Sequence, residues 1–309
     1  MRILLLGANG QVGFELMRAL GPLGQLLPAT RAGVLPGAQP CLRADLADSD
    51  ARLHALLDET APQLIVNAAA YTAVDRAEDE PEAALRSNGS AVGALGRWAA
   101  AYDVPLIHYS TDYVFAGAGT QPWREDDAVA PLGVYGASKL AGEQALRDSG
   151  ARHLILRTAW VYAARGHNFL RTMLRLADER EQLRVVDDQI GTPTPARLIA
   201  NATAIMLARM SVAGAFTDAA PWGTYHLTAG GQTSWHGFAA VLLQAAQRAG
   251  LIARLPRLQA IASSDYPTRA RRPSYSVLDC SRIERTFALQ LPPWQTALAA
   301  VIGELASAR

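Results

Sequence analysis

The sequence predicts a doubly wound α/β fold, a parallel sheet covered by helices on both faces, followed by a smaller C-terminal lobe. Three observations predict it. Short, nearly continuous apolar runs alternate with longer segments of helical period, the pattern of strands buried on both faces. A glycine-rich turn, GANGQVG, joins the first apolar run to the first helical segment. Beyond about residue 160 the alternation gives way to amphipathic helices and a loop rich in Pro, Ser and Arg.

The elements follow in order. RILLL (Arg2–Leu6) is the first strand, and VGFELMRAL after the glycine turn has apolar residues near helical spacing. LIVNAAA, PLIHYSTDYVF, HLILRTAWVY and LRVVDD read as further strands. Between them SDARLHALLDE and PEAALRSNGSAVGALGRWAAAY read as helices. NFLRTMLRLADER is an amphipathic helix, LRVVDDQIGTPTP a strand running into a Pro-rich turn, and SSDYPTRARRPSYS a loop. A last helix lies in ERTFALQLPPWQTALAAVIGEL. The expected division is a nucleotide-binding, Rossmann-type unit over 1–160 and a substrate lobe over 161–309. Elements at about 183–210 return to the first unit, and the second lobe adds little regular sheet.

Composition narrows the function classes. Half of the 309 residues are hydrophobic and 18% are charged, which suits a chain with a sizeable core. Lys plus Arg number 29 against 28 acids, a net charge of +1. No global field recruits nucleic acid or a membrane surface, which leaves small-molecule chemistry. Cys41 and Cys280 form neither a metal-ligand spacing nor a disulfide framework. MRILLLGANG is too short in apolar residues for a signal-peptide core, and no run spans a bilayer. The expectation is a cytoplasmic protein.

Gly7, Gly10 and Gly13 suit a backbone that turns tightly and approaches a pyrophosphate, whose charge rests on helix N-terminal amides. The alternative is a purely structural turn. An NAD site would place an acid after the second strand, yet QLLPATRAG has none and the next acid is Asp45. Arg31 stands where a cation meets a 2′-phosphate or stacks on adenine, although a solvated surface arginine has the same sequence. NADPH is therefore expected, with NADH the alternative. Asp45 and Leu46 could border the adenine, or the aspartate could cap a helix.

Lys139 is the single lysine of the chain; the other 28 basic residues are arginine. It follows Tyr135 by four positions, so on a helix the two share a face. A phenol with a pKa near 10 needs its anion stabilised to exchange protons at neutral pH, and an ammonium does this. A compact ammonium also reaches a ribose hydroxyl that a planar guanidinium fits badly. The competing explanation is one lysine left by chance on an exposed face. Ser110 and Thr111 follow the run PLIHY, where ligands sit in such sheets; a hydroxyl there can hold a substrate carbonyl, or merely cap a turn.

Together the glycine turn, the strand ending in NAAA, the STDYVF segment and the YxxxK pair resemble the extended short-chain dehydrogenase/reductase family. VNAAAYTAVDRAE, HYSTDYVFAG, VYGASKLAGE, RTAWVY and DQIGTPT resemble its dTDP-4-dehydrorhamnose reductase branch, and the likeness extends to YHLTAGGQTSWHGFA and YPTRARRP. The resemblance implies reduction of the C4 ketone of dTDP-4-dehydro-β-L-rhamnose to give dTDP-β-L-rhamnose. It implies Tyr135 as proton donor, Lys139 on the nicotinamide ribose and Thr111 on the carbonyl. Gly10, Gln11 and Val12 would meet the pyrophosphate, Asp45 and Leu46 the adenine, and Ala69, Ala70, Tyr71, Thr72 and Tyr109 the rest of the cofactor. Asp112 and Trp160 would touch the sugar and Arg272 the diphosphate.

Two departures from the family pattern stand out. YPTRARRP adds Arg269 and Arg271 beside Arg272. Some members are thought to dimerise through a carboxylate-bound metal; Glu15 matches one ligand, but Arg197 occupies a position for another. No metal is therefore expected, and the chain is expected as a monomer or weak homodimer. His108 reads as a satisfied core histidine, the acidic run REDDA as a solvated loop, and Trp222 and Trp235 as packing residues. Two other activities stay open. One is an epimerase or dehydratase of the same extended family, although Asp112 rather than Glu follows Thr111. The other is a partner-binding role, since the chain more distantly resembles the regulatory subunit of methionine adenosyltransferase.

Overall fold

The computed structural model describes residues 1–212, 215–217 and 219–308. Its main elements are β1 (Arg2–Leu6), α1 (Gln11–Leu20), β2 (Gln25–Thr30), β3 (Leu42–Arg43), α2 (Asp50–Thr60), β4 (Leu64–Asn67), α3 (Ala91–Ala101) and β5 (Leu106–Thr111). Then come α4 (Val134–Asp148), β6 (His153–Thr158), α5 (Phe169–Glu179), β7 (Gln182–Val186), α6 (Ala196–Met210), β8 (Gly223–His226), α7 (Trp235–Arg248), β9 (Arg257–Ile261) and α8 (Trp294–Ser307).

Seven strands form one parallel sheet in the order β8-β6-β5-β4-β1-β2-β3. The order reverses between β1 and β4, so the carboxyl ends of these two strands open a crevice of the kind that takes ligands. Alternation of side chains within β1 shows why both faces are covered. Ile3 and Leu5 join Leu16 and Leu20 of α1 and Ile199 and Met206 of α6. Leu4 and Leu6 join Leu53 of α2 and Val92 and Leu95 of α3 on the opposite face. A second core lies outside the sheet, where Leu170 of α5, Phe238 and Leu242 of α7 and Leu298 of α8 pack together. No helix among the described residues is long and apolar enough to cross a membrane.

Three elements differ from the sequence expectation. The segment GTYH of the second half forms β8 and extends the central sheet beside β6. Its four residues are too few to carry a periodic signal. LRVVDD becomes β7, which pairs with β9 in a separate two-stranded parallel sheet. The helical run from Pro81 is broken by a π-turn at Arg86–Ser90 before α3 begins. That turn carries Asn88 to the loop after β4, where its side chain bonds the backbone of Tyr71.

One buried ion pair fixes α4 against the sheet. Arg157 on β6 donates to Glu143 through Nε at 2.9 Å and Nη2 at 2.7 Å, and Ser110 on β5 donates to the same carboxylate at 2.6 Å. Both charged residues are buried. Burial raises the Glu143 pKa, but the Arg157 hydrogen bonds and charge outweigh it and the net shift is downward. Its stabilising contribution is thus complete above the unfolded carboxylate value, about 4.3. The contribution is lost as pH falls through the lower native value. Arg157→Met leaves Glu143 buried without its partner and is expected to cost about 3–5 kcal/mol in urea unfolding, a loss that Arg147 on the half-exposed side does not restore.

Candidate active site

At the end of β1 the glycine turn lies close to neighbouring backbone. Gly7 has φ +76°, and a Cβ there would lie 2.7 Å from Ala69 N. A Cβ on Gly13 would lie 2.0 Å from the Gly7 carbonyl oxygen. Gly10 donates to Gly7 O at 2.9 Å and caps α1 without a side chain. The first-turn amides, from Gln11 and Val12 onward, therefore face the crevice as anion donors. The Val12 side chain itself packs on the core, and Gln11 Oε1 accepts from Asn168 Nδ2 at 3.0 Å, which ties the turn to the start of α5.

Arg31 is exposed just after β2 and has no partner among the described residues. Arg43, which no local pattern in the sequence marks out, sits on the adjoining strand with Thr30 as its register partner. It is half-exposed and donates to Asp48 at 3.1 Å. Asp45 does not cap α2, a role that Ser49 takes; its Oδ1 accepts from Ala47 N within a turn. Leu46 is buried in the core beneath.

After β4, Ala69 N donates to Asn67 Oδ1, while Ala70 and Thr72 are exposed. Tyr71 is held at both ends: its N–H donates to Asn88 Oδ1 at 2.8 Å and its hydroxyl to Glu80 at 2.8 Å. Asn88 also donates to Ser138 Oγ on α4. A polar chain thus runs from the loop after β4 to the helix of Tyr135 and Lys139.

The chemical residues meet where β5 ends. Thr111 caps a short 3-10 turn and its hydroxyl donates to Asp112 Oδ1 at 2.9 Å. The N-terminus of α4 is closed by Glu78, which accepts from Val134 N at 2.9 Å. That helix sets Tyr135 against Tyr113 edge-on, with ring centroids 5.6 Å apart, on the side of the Thr111 hydroxyl. Burial raises the Tyr135 pKa, against the smaller effect of Thr111. The expectation of a depressed phenol is therefore not met in this state, because Lys139 points elsewhere. A phenol that keeps its proton at neutral pH is placed to donate it.

Lys139 is 2% exposed. Its Nζ donates to the Tyr109 carbonyl at 2.6 Å and lies 3.2 Å from His108 Nε2. Burial lowers its pKa to about 8, with Glu143 opposing. The Tyr109 side chain points to the other face of the sheet, where its hydroxyl meets Thr203 at 2.9 Å. Tyr109 reaches Lys139 through its backbone alone.

Asp112 is buried, with Oδ2 unpartnered. Burial raises its pKa to about 6, while Ser276 and Thr111 hold it from rising further. Trp160 has a left-handed backbone, φ +46°, unusual for a bulky side chain. Its indole stacks on Trp235 with centroids 3.6 Å apart, and a Cβ on Gly191 would lie 2.4 Å from it. Trp235 is thus a packing residue whose packing partner is Trp160. Arg272 donates to Asp75 at 2.7 Å, and Arg269 pairs with Asp79, so the late loop is held to the segment after β4. Arg197 bonds both Glu15 and Glu304. Among the described residues no cluster of His, Cys, Asp or Glu is arranged to hold a metal.

A doubly wound parallel sheet with a glycine turn at β1 and a Thr–Tyr–Lys set between β5 and α4 defines an extended short-chain dehydrogenase/reductase. The model of the RmlD substrate binding domain matches residues 1–307. The dTDP-4-dehydrorhamnose reductase of Shigella flexneri is 47% identical over 99% of this chain and 98% of its own. Among solved structures, a dTDP-4-dehydrorhamnose reductase from Clostridium acetobutylicum superposes with a TM-score of 0.86 at 30% identity, covering 99% of each chain. One from Bacillus anthracis, in complex with NADP, gives 0.84 at 30% identity over 98% of this chain and 99% of its own. The chain belongs to the dTDP-4-dehydrorhamnose reductase family.

Gly13→Ala is expected to force the glycine turn apart. Overpacking of this kind costs about 1–3 kcal/mol, and thermal unfolding together with NADPH titration should show lower stability and weakened binding. Asp112 accepts hydrogen bonds best when ionised. The KM for a sugar nucleotide is therefore expected to rise as pH falls through about 6, and Asp112→Asn should flatten that dependence.

Proposed function

We propose that this protein reduces the C4 ketone of dTDP-4-dehydro-β-L-rhamnose to dTDP-β-L-rhamnose, with NADPH preferred and NADH as a slower substitute. It acts in the cytoplasm as a monomer or weak homodimer. Residues 1–160 hold the dinucleotide and residues 161–309 close over the sugar nucleotide; of the expected return at about 183–210 only α6 joins the first unit, together with β8, whereas β7 belongs to the second core. The observation that carries the reading is the juxtaposition of Thr111, Tyr135 and Lys139 beside a glycine turn with no room for side chains. That turn suits a dinucleotide pyrophosphate, since Gly7 and Gly13 let it fold tightly against neighbouring backbone and leave the first-turn amides of α1 for an anion.

When bound, NADPH supplies the hydride. Tyr135 and Thr111, the latter on exchanging Asp112 for the ligand, hold the carbonyl oxygen, so that charge developing on it meets two hydroxyl donors. Tyr135 then gives its proton to that oxygen. Lys139 anchors the ribose and exchanges protons with the tyrosine, while Gly10, Gln11, Val12, Ala69, Ala70, Tyr71, Thr72 and the Tyr109 backbone line the cofactor. Asp45 and Leu46 border the adenine. Arg31, with Arg43 beside it, meets the 2′-phosphate. Asp112 Oδ2 and Trp160 take the sugar, and Arg272, on exchanging Asp75 for the ligand, takes the diphosphate.

The test is oxidation of NADPH and of NADH by purified protein supplied with dTDP-4-dehydro-β-L-rhamnose. Substrate-dependent oxidation, faster with NADPH, is expected. Cofactor binding without oxidation would remove the reductase reading. Tyr135→Phe is expected to lower kcat by about 10²–10⁴-fold with NADPH binding retained, and a near wild-type rate would dismiss Tyr135 as proton donor.

A further inference from the structure

The sequence reads His108 as an inert core histidine, yet in the structure it lies against the lysine of the site. The parallel register places it opposite Asn67, and both are fully buried. Its Nδ1 is 3.1 Å from Asn67 Nδ2, and its Nε2 is 3.2 Å from Lys139 Nζ. Asn67 is oriented by the loop after β4, because its Oδ1 accepts from Ala69 N at 3.2 Å. The amide nitrogen, which only donates, therefore faces His108 Nδ1. Burial, reinforced by the charges of Lys139 and His153, pushes the His108 pKa well below its usual value, so the ring is neutral. A neutral ring that accepts at Nδ1 carries its proton on Nε2. That proton points at Lys139 Nζ, and only an unprotonated amine can accept it.

We propose that His108, held as its Nε2–H tautomer by Asn67, is a positioning residue that donates to the unprotonated amine of Lys139 and so eases release of the lysine proton during turnover. The inference rests on reading Tyr135 and Lys139 as the proton-delivering pair. Tyr135 loses its phenolic proton to the oxygen of the reduced carbonyl and becomes a tyrosinate. An N–H bond of the Lys139 ammonium then breaks as the tyrosine O–H re-forms, a water molecule carrying the proton across because Nζ is turned towards Tyr109 and His108. The lone pair left on Nζ accepts the His108 Nε2–H, while another N–H remains on the Tyr109 carbonyl. Before that transfer the Nε2–H confronts an ammonium N–H, which disfavours the charged form. Solvent returns the proton to Lys139 once product leaves.

The remaining charged groups do not supply this effect. On α4, Glu143 favours the ammonium, and its own charge is taken up by Arg157 from β6 and Arg147. His153, at the start of β6, bears on His108 rather than on Lys139. Beyond β5 the Asp112 carboxylate acts on Tyr135. From β4 the facing group is the neutral Asn67.

Reduction draws on the ammonium form, so activity is lost as pH rises through the Lys139 value. His108→Gln can turn an amide oxygen towards Nζ where the Nε2–H stood. Asn67→Asp accepts from Nδ1–H and reverses the tautomer. Both variants are expected to move the alkaline limb of kcat/KM upward by about one pH unit. A purely structural role would lower kcat and leave the limb in place, and an unmoved limb in both folded variants overturns the proposal. The wild-type ring is read directly by long-range proton–nitrogen NMR of cofactor-free protein with isotope-labelled histidine. A protonated Nε2 and bare Nδ1 on His108 are expected, and a protonated Nδ1 overturns the proposal. This readout needs no turnover, so its failure is distinguishable from failure of the proposed reaction.

Discussion

The seating of α4 against the carboxyl half of β5 is the constraint on which the site depends. Apolar packing brings the helix to the sheet, but polar bonds set its rotation and height. Glu143 is gripped by Arg157 and Ser110, and one turn earlier Lys139 reaches the Tyr109 carbonyl. One turn earlier again, Tyr135 meets Thr111. A rotation of α4 that moved Tyr135 away from Thr111 would leave Glu143 and Lys139 buried without partners, a far greater penalty than loss of one surface contact. Structural and chemical residues therefore share one helix face at a spacing of four.

Shared positioning extends across the crevice. The π-turn at Arg86–Ser90 lets Asn88 bond both the Tyr71 backbone and Ser138. The loop after β4 and helix α4 are thereby positioned by a single side chain. At the end of β4 itself Asn67 acts in the same way, since its two amide atoms face Ala69 N and His108. Just after β6 Trp160 is held in a left-handed backbone by stacking on Trp235 and by the missing side chain at Gly191. Strain at such a residue persists only where neighbours over-determine its position.

Arg197 illustrates how a local substitution changes a surface. Its guanidinium lies between Glu15, which is buried, and Glu304 near the end of α8. The cation that balances these carboxylates belongs to the chain itself and joins α1, α6 and α8. Similarly, Arg272 and Arg269 of YPTRARRP are paired with Asp75 and Asp79. A ligand diphosphate at Arg272 must compete with a carboxylate already bonded there.

The sequence by itself determined the α/β class, the glycine turn and the Tyr135–Lys139 pair. These depend on patterns close together in the chain: runs buried on both faces, glycine where backbone crowds backbone, and a spacing of four on one helix. Only the tertiary structure decided where β8 lies and what Lys139 and His108 touch. Strand GTYH is too short to announce itself, and its place beside β6 follows from pairing with Leu154 to Arg157, far earlier in the chain. The environment of Lys139 comes from β5 as well as from its own helix, so no local pattern encodes it. His108 looks inert in the sequence because a buried histidine on a strand is ordinarily satisfied by its neighbours. Here one of those neighbours is the lysine of the site, and the parallel register of β4 and β5 fixes which ring nitrogen faces it.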